Sequence, residues 1–237
     1  MEQYNMKANF YPATEPKNGY LGFADLTISN AIRIRGIAVF EDREGDGHHI
    51  QFPEYGEGET RGSYIIPSSK EAYAQMLGVI ESAMNDPENH FGWVTGKMNP
   101  ELQVSGRAVT EPYADGRFSV NVADICTLRG VATREVNYEK DGKAGHFVSV
   151  DVPVLTPYER DGEKVYPPVF EGLKSKYERD GQEQEKDFGL LMRNLVLAER
   201  KKVLEKHEDL DKQIEGAEQK AAGQVPAQQA PEKEATR

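Results

Sequence analysis

Two adjacent histidines, a single cysteine and a glutamate-rich loop are the residues whose types suggest site chemistry. His48 and His49 have the side chains of a metal site, yet neighbours on a strand point to opposite faces, so one half-buried and one exposed imidazole is predicted. Cys126 falls on a predicted strand, where it is expected to act as a small buried hydrophobe. The acidic loop 54–62 lacks the spacing of a calcium loop, and we expect it to be solvated.

Catalytic signatures are missing from the sequence. There is no glycine-rich phosphate loop, no G-x-S-x-G elbow, no H-E-x-x-H run and no cysteine pair with metal-ligand spacing. We therefore expect no catalytic residues, no metal site and no cofactor. A non-enzymatic protein is predicted.

The charge of the chain limits the partners it is expected to have. Of the 237 residues, positions 1–110 carry 9 basic and 15 acidic side chains, positions 111–190 carry 11 and 16, and positions 191–237 carry 9 of each, for a net charge of −11. An acidic surface disfavours non-specific binding to nucleic acid, because neutralised phosphates supply most of that affinity. No apolar run has the length of a membrane span and the first residues lack the pattern of a signal peptide, so a cytoplasmic protein is expected.

The chain contains one stretch twice. A shift of 94 positions aligns residues 22–38 with residues 116–132 and places Arg35-Gly36 over Arg129-Gly130. The tripeptide Thr-Glu-Pro also precedes both copies. Self-similarity of this kind predicts a duplicated structural unit.

Alternating apolar and polar residues predict the strands of each unit. Gly36 interrupts the alternation in its strand, which is typical of a bulge. Turns are predicted at Asn18-Gly19 and at Asp115-Gly116, and Ser68 or Ser69 is predicted to cap a helix. The predicted strands are 9–11, 21–29, 32–40, 48–52 and 64–66, followed by helix 70–84, and then strands 103–110, 117–123, 126–137, 145–152 and 164–169.

The segments between and after the copies have different compositions. The connector contains an aromatic pair, Phe91 and Trp93, which is expected to hold the two halves together. An α+β fold is predicted, in which each unit is an antiparallel sheet of four to five strands with a C-terminal helix, followed by a long charged helix and a disordered tail. The predicted divisions are a first unit at 1–88, a linker at 89–101, a second unit at 102–183, the long helix at 184–222 and the tail at 223–237.

The order of these patterns resembles the bacterial SpoVG family of septation proteins and nucleic-acid-binding regulators. Ala24, the triplets Leu26-Thr27-Ile28 and Ile37-Ala38-Val39, and Phe52-Pro53 occupy the places of that family's strand pattern. The match covers most of residues 18–84 and, more loosely, the second copy. It implies that the tandem corresponds to a SpoVG-like homodimer fused into one chain, with two sheets around a pseudo-two-fold axis.

The resemblance also implies a nucleic-acid-binding region, since the family carries a basic segment between its third and fourth strands and near the start of its helix. Tyrosines in the second copy are available for stacking on bases. The residues assigned in this way are Arg61 and Lys70 in the first copy and Tyr158, Arg160, Lys164, Tyr166, Lys174 and Lys176 in the second.

The resemblance therefore predicts a regulator of transcription or of post-transcriptional steps that binds DNA or RNA and is carried by a bacterium or a mobile element. The alternative is an acidic protein-interaction module, either a mimic of nucleic acid or an assembly adaptor encoded by a phage or mobile element. The long helix is the predicted surface for a protein partner or for self-association. A membrane is not an expected partner.

Overall fold

The computed structural model describes residues 3–42, 47–179 and 182–222, and the predicted tail 223–237 lies outside the described residues. The described chain has a mixed α+β fold with mostly antiparallel strands and two α helices. The first half contains β1 (Met6–Lys17), β2 (Tyr20–Ile28), β3 (Ile32–Glu41), β4 (His48–Gln51), β5 (Glu54–Tyr55), β6 (Gly62–Ser63), β7 (Ile65–Pro67), α1 (Lys70–Met84) and β8 (Phe91–Val94).

The second half repeats this order as far as its helix, with an additional hairpin before the helix and, in the described residues, no strand in the place of β8. The helix is more than twice as long as that of the first half. The elements are β9 (Leu102–Glu111), β10 (Ala114–Val122), β11 (Cys126–Lys140), β12 (Lys143–Asp151), β13 (Tyr158–Arg160), β14 (Glu163–Val165), β15 (Phe170–Gly172), β16 (Lys174–Arg179), β17 (Gln182–Asp187) and α2 (Phe188–Ala222).

Each half gives one short strand to the sheet of the other half. The first sheet has the order β15-β3-β2-β1-β8 with β4 also on β3, and the second has the order β12-β11-β10-β9 with β7 also on β11. Phe170 of β15 lies opposite Ile34, and Ile65 of β7 lies opposite Leu128. Because Ile34 and Leu128 are 94 positions apart, the exchange is reciprocal. This is the pairing expected of a two-fold dimer contained in one chain.

A glycine bulge divides the central strand of each sheet. Gly36 in β3 and Gly130 in β11 have φ angles of +71° and +87°, and the register shifts beside both, which confirms the bulge predicted at Gly36. On one side of the bulge the central strand pairs with β4 or β12 of its own half. On the other side it pairs with the strand received from the other half.

One hydrophobic core joins the two halves. It combines inward-facing residues of both sheets with Met76 of α1 and Phe188 of α2. The two helices cover equivalent strands, since α1 packs against β1 and α2 packs against β9. Ser69 caps α1 by accepting a hydrogen bond from the Ala72 amide at 3.1 Å, so the predicted helix 70–84 is confirmed. The residues that alternate away from this core form two outer sheet faces.

The predicted start of the long helix near residue 184 is wrong. Residues 182–187 pair with β16, and α2 begins at Phe188 because the Asp187 side chain accepts a hydrogen bond from the Leu190 amide at 2.8 Å. In the described chain α2 is also the C-terminal helix of the second unit, so the two helices predicted there are one. The first sheet has six strands rather than four to five, because β8 and β15 join it.

The predicted turn at Asp115-Gly116 is also wrong. The chain turns at Pro112-Tyr113, and from Ala114 onward every second residue is buried, so Asp115 and Gly116 continue a strand. The predicted strand 164–169 ends at Val165, where β14 pairs with β13 before two consecutive prolines.

The predicted linker 89–101 contains strand β8, which pairs with β1. Phe91 and Trp93 are 41% and 57% exposed, so they do not hold the halves together as predicted. Their strand belongs to the first sheet alone. Neither helix in the described residues has the apolar length that a membrane span requires.

Candidate nucleic-acid interface

The two cations assigned in the first copy are exposed and lie on different elements, one in a loop and one on a helix. Arg61 lies between β5 and β6, and its Nε donates a hydrogen bond to Glu54 at 2.6 Å. Lys70 is exposed at the first residue of α1, directly before Glu71. Each cation therefore has a carboxylate beside it in space or in sequence.

The β13–β14 hairpin separates the residues assigned to it. Residues directly opposite in a hairpin share a face, so Lys164 lies on the same face as Glu159, while Tyr158 and Arg160 lie on the other face. Tyr158 and Tyr166 are both half exposed. The hairpin thus brings Tyr158 and Arg160 together and turns Lys164 away from them.

Lys174 and Lys176 lie on one face of β16, and each is opposite an acidic residue of β17. Lys174 Nζ lies 3.8 Å from a carboxylate oxygen of Asp187, and Lys176 lies opposite Glu185 in the strand register. The assigned cations are therefore largely matched by carboxylates, so this region carries little excess positive charge.

The outer face of the first sheet exposes aromatic side chains that sequence patterns did not assign to a site. Gly92 in the middle of β8 faces α1, where an added Cβ would lie 2.0 Å from the Val79 carbonyl oxygen. Because strand residues alternate, Phe91 and Trp93 point to the opposite side, away from α1. Both rings lie on an edge strand of the sheet.

Two further rings lie on the same face. Tyr11 and Phe23 are directly opposite each other in β1 and β2, with ring centroids 4.7 Å apart in a stacked arrangement. They are 41% and 43% exposed. Phe91 lies opposite Asn9, two residues before Tyr11, so the rings occupy neighbouring rows about 7 Å apart along the strand. We call Tyr11, Phe23, Phe91 and Trp93 the aromatic face.

A compensated charge cluster borders the aromatic face. Arg35 donates to Glu171 of the exchanged β15 at 2.6 Å, and Arg33 donates to the same oxygen at 3.4 Å. Burial raises the pKa of Asp25, opposed by the Gly36 amide and by these arginines. Asp25 lies on β2 two residues after Phe23, so the cluster is beside the aromatic face, and burial and then Asp25 raise the pKa of Tyr11.

The equivalent face of the second sheet carries arginines where the first carries rings. Arg107 and Arg117 lie directly opposite each other in β9 and β10, in the register positions that Tyr11 and Phe23 occupy in β1 and β2. Arg129 lies beside the Gly130 bulge, opposite Ser119, which is two residues beyond Arg117. The same framework therefore presents two chemically different faces.

A groove lies over the second face. The first half supplies Tyr55 of β5 and Tyr64, which directly follows β6. Their ring centroids are 5.0 Å apart, and the two rings border a groove of about 1120 Å³. The three arginines of the second face line its floor. We call this site, with Arg107, Arg117 and Arg129, the arginine groove.

The histidines and the cysteine have structural surroundings. His48 Nδ1 lies 3.0 Å from Glu81 and is half-buried, and His49 Nδ1 lies 2.7 Å from Asp42 and is exposed, as predicted. Cys126 is buried, and burial raises the pKa of its thiol to about 12. Among the described residues, no group of three or more histidine, cysteine, aspartate or glutamate side chains is placed to hold a metal ion.

Comparison with family models, with curated proteins and with solved structures returns no match for this chain.

Sequence reasoning missed both faces for one reason. The rings and arginines lie on three different strands, and only the register of β1, β2 and β8, or of β9, β10 and β11, brings them together. One signal was present in the sequence: the alternation Phe91, Gly92, Trp93 places two rings on one side of a strand with a glycine between them.

Proposed function

We propose that the protein is a non-enzymatic, SpoVG-like regulator that acts in the cytoplasm by binding single-stranded DNA or RNA on its aromatic face. The observation that carries this proposal is the set of four rings, each 41–57% exposed, on one face of one sheet. Every nucleobase has a π-face, and stacking on an exposed ring contributes about 1 to 3 kcal/mol per base. Sheets that present aromatic rings to splayed bases are a recurring mode of RNA recognition.

The net charge of −11 favours a single strand over a duplex as the ligand. Binding to a duplex relies on neutralised phosphates, which an acidic protein supplies poorly. Stacking on rings requires unpaired bases and depends less on phosphate charge. The acidic composition is therefore compatible with binding through the aromatic face.

An alternative role for the rings is to stabilise the sheet. A cross-strand aromatic pair such as Tyr11 and Phe23 contributes about 0.2 to 1 kcal/mol to a sheet. That role does not account for Trp93, which is 57% exposed on an edge strand. Exposed apolar groups that cluster on one face are typical of an interaction site.

The chain contains its own reporter for this proposal. Trp93 is the single tryptophan and lies on the aromatic face. Titration of the full chain with oligothymidylate is expected to quench Trp93 fluorescence to saturation, whereas the same sequence in a duplex is expected to have little effect. An unchanged Trp93 emission with single-stranded DNA and RNA of mixed sequence would contradict the proposal.

A matched pair of variants locates the binding. The double variant Tyr11→Leu and Phe23→Leu is expected to weaken binding of oligothymidylate by about tenfold or more, because at least one stacked base is lost. Tyr113→Leu is the control, since Tyr113 is 79% exposed in the β9–β10 turn and lies outside the aromatic face. Equal affinities for the two variants would show that the rings do not contact the strand.

Self-association through α2 is a second candidate property. Leu210 and Ile214 are 55% and 49% exposed and lie one helical turn apart on the same side. Residues 201–214 carry four lysines and four acidic residues, so two copies of this segment would not repel each other. Light scattering of Leu210→Lys with Ile214→Lys is expected to show a smaller assembly than the parent chain. Leu190→Lys, in the exposed first turn of α2, is the control.

A further inference from the structure

We propose that the arginine groove binds the phosphate backbone of the nucleic-acid strand. This inference rests on the proposed function, because it assigns a second contact surface to the same ligand. The groove lining contains none of the residues assigned by the family resemblance. Of those residues, Arg61 lies in the β5–β6 loop, after Tyr55, which borders the groove.

Like charges face each other in the floor of the groove. Arg107 and Arg117 are directly opposite in β9 and β10, and like charges in that position are unfavourable. Glu111 relieves this repulsion in part, since Arg117 Nε donates to it at 3.1 Å. The hydrogen bond from Arg117 lowers the pKa of Glu111, and Arg107 lowers it further. Glu111 thus pairs directly with Arg117 and acts on Arg107 only at longer range, which leaves a capacity for an anion beside Arg107.

The ion pairs around the groove are unevenly distributed among its arginines. Asp151 is the other carboxylate of the groove lining, and it forms an ion pair with Arg134, whose Nε lies 3.4 Å from Asp151 Oδ2. Within the described chain, neither Arg107 nor Arg129 lies within 4.0 Å of a carboxylate oxygen. The equivalent of Arg129 in the first half is Arg35, which donates to Glu171 at 2.6 Å. The second face therefore retains positive charge that the first face has compensated.

The groove also has aromatic and hydroxyl groups beside its cations. Tyr55 and Tyr64 form one side, and Ser105 and Ser119 lie on its floor. Tyr64 is held in place because its ring lies against Gly130, where an added Cβ would come within 2.8 Å of it. Sites that bind the backbone of a single strand combine cations with aromatic rings and hydroxyl donors.

An oligomer of abasic sugar phosphates tests the groove without base stacking. Labelled abasic oligomer is expected to bind the full chain in a polarisation titration, and the logarithm of its association constant is expected to fall linearly with the logarithm of the salt concentration. The double variant Arg107→Ser and Arg129→Ser is expected to reduce the steepness of that line by about 1.4, or roughly 0.7 for each lost phosphate contact. Quenching of Trp93 by saturating oligothymidylate is expected to remain.

The control is the double variant Arg160→Ser and Lys164→Ser, which removes the same charge from the β13–β14 hairpin. A reduction of the salt dependence by the control, with none in the groove variant, would overturn the inference and favour the hairpin. Displacement of the abasic oligomer by an equal concentration of inorganic pyrophosphate would also overturn it, because the groove would then be a site for small phosphorylated ligands. A groove variant that loses abasic binding supports the inference. Missing Trp93 quenching in the parent chain contradicts the aromatic-face proposal alone.

Discussion

The two outer sheet faces have the same strand register, but one carries aromatic rings where the other carries arginines. Where β1 and β2 present Tyr11 opposite Phe23, β9 and β10 present Arg107 opposite Arg117. The inward residues of both sheets are apolar and join one core. The three central strands of the two sheets thus share one framework, and their outward positions differ because they do not affect packing.

This difference also shows how the halves depend on each other. The strand that borders the first face, β15, comes from the second half, and the rings that border the second face, Tyr55 and Tyr64, come from the first half. The arginine groove is therefore incomplete within one unit, whereas the four rings of the aromatic face all belong to the first half. A separated half would lack the strand that it receives from the other half, and a separated second half would also lack one side of its groove.

The exchanged strands give the largest expected effect on stability. Phe170→Ala is expected to lower the free energy of unfolding by about 3 to 5 kcal/mol and Ile65→Ala by about 2 to 5 kcal/mol, since both side chains are fully buried. Urea unfolding followed by circular dichroism and by Trp93 fluorescence is expected to give one midpoint, because both halves share a core. Two separate midpoints would show that the halves fold independently. Tyr158→Ala, at a half-exposed hairpin residue, is the control.

The two bulges are expected to respond equally to substitution. Gly36→Ala and Gly130→Ala are each expected to cost about 1 to 3 kcal/mol, because φ is positive and the new methyl group would meet Leu155 or Tyr64 within 3.0 Å. Gly142→Ala separates the two causes. Its φ is +72°, but an added Cβ has no neighbour within 4 Å, so it is expected to cost about 1 kcal/mol. Thermal unfolding of the three variants compares their losses of stability. An equal loss for Gly142→Ala would show that the contacts with Leu155 and Tyr64 do not contribute.

An ion pair between Arg200 and Asp115, both in the second half, connects α2 to β10. Its contribution to the stability of the fold is expected to depend on pH. Arg200 donates to Asp115 at 2.6 and 3.0 Å, and these hydrogen bonds lower the pKa of Asp115. Asp115→Asn is expected to cost about 1 to 2 kcal/mol at neutral pH.

Because the folded-state pKa of Asp115 is lowered, this contribution is fully present above the unfolded carboxyl pKa of about 3.9 and is lost as the pH falls through the folded value. The parent chain and Asp115→Asn are thus expected to converge in stability at acidic pH. A difference that persists unchanged into acid would contradict the ion pair as its cause. Denaturant titrations across the acidic range make the comparison.

The smallest effect is expected at Asp25, whose counterpart on the second face is Ser119. Burial raises the pKa of Asp25, so the folded chain retains a proton that the unfolded chain has released. Its contribution to stability therefore falls as the pH rises from about 3.9 through the folded-state pKa. Asp25→Asn is expected to remove this slope and to change stability by about 0.5 kcal/mol. A steeper decline in the variant would indicate that the arginines dominate over burial.

Much of the fold was accessible from the sequence because its signals are local. Alternation located β2, β3 and β11, the interruption at Gly36 located a bulge, and Ser69 located the start of α1. The start of α2 was also encoded locally, by Asp187 before an apolar run, but the charged residues 182–187 favoured helix over strand.

The exchange and the two faces were not accessible, because they depend on pairing between distant strands. β7 and β15 have three residues each, too few for any pattern to state which sheet receives them. The opposition of Arg107 and Arg117 likewise follows from register. That register is set by the Pro112-Tyr113 turn together with a register shift between Ala114 and Gly116, rather than by a turn at Asp115-Gly116.

Amide chemical-shift mapping of the full chain with oligothymidylate tests the base-binding role of the aromatic face most directly. The largest shifts are expected at Tyr11, Phe23, Phe91 and Trp93 and at their strand neighbours in β1, β2 and β8. Shifts confined to the β13–β14 and β16–β17 hairpins, with the first sheet unchanged, would contradict the account.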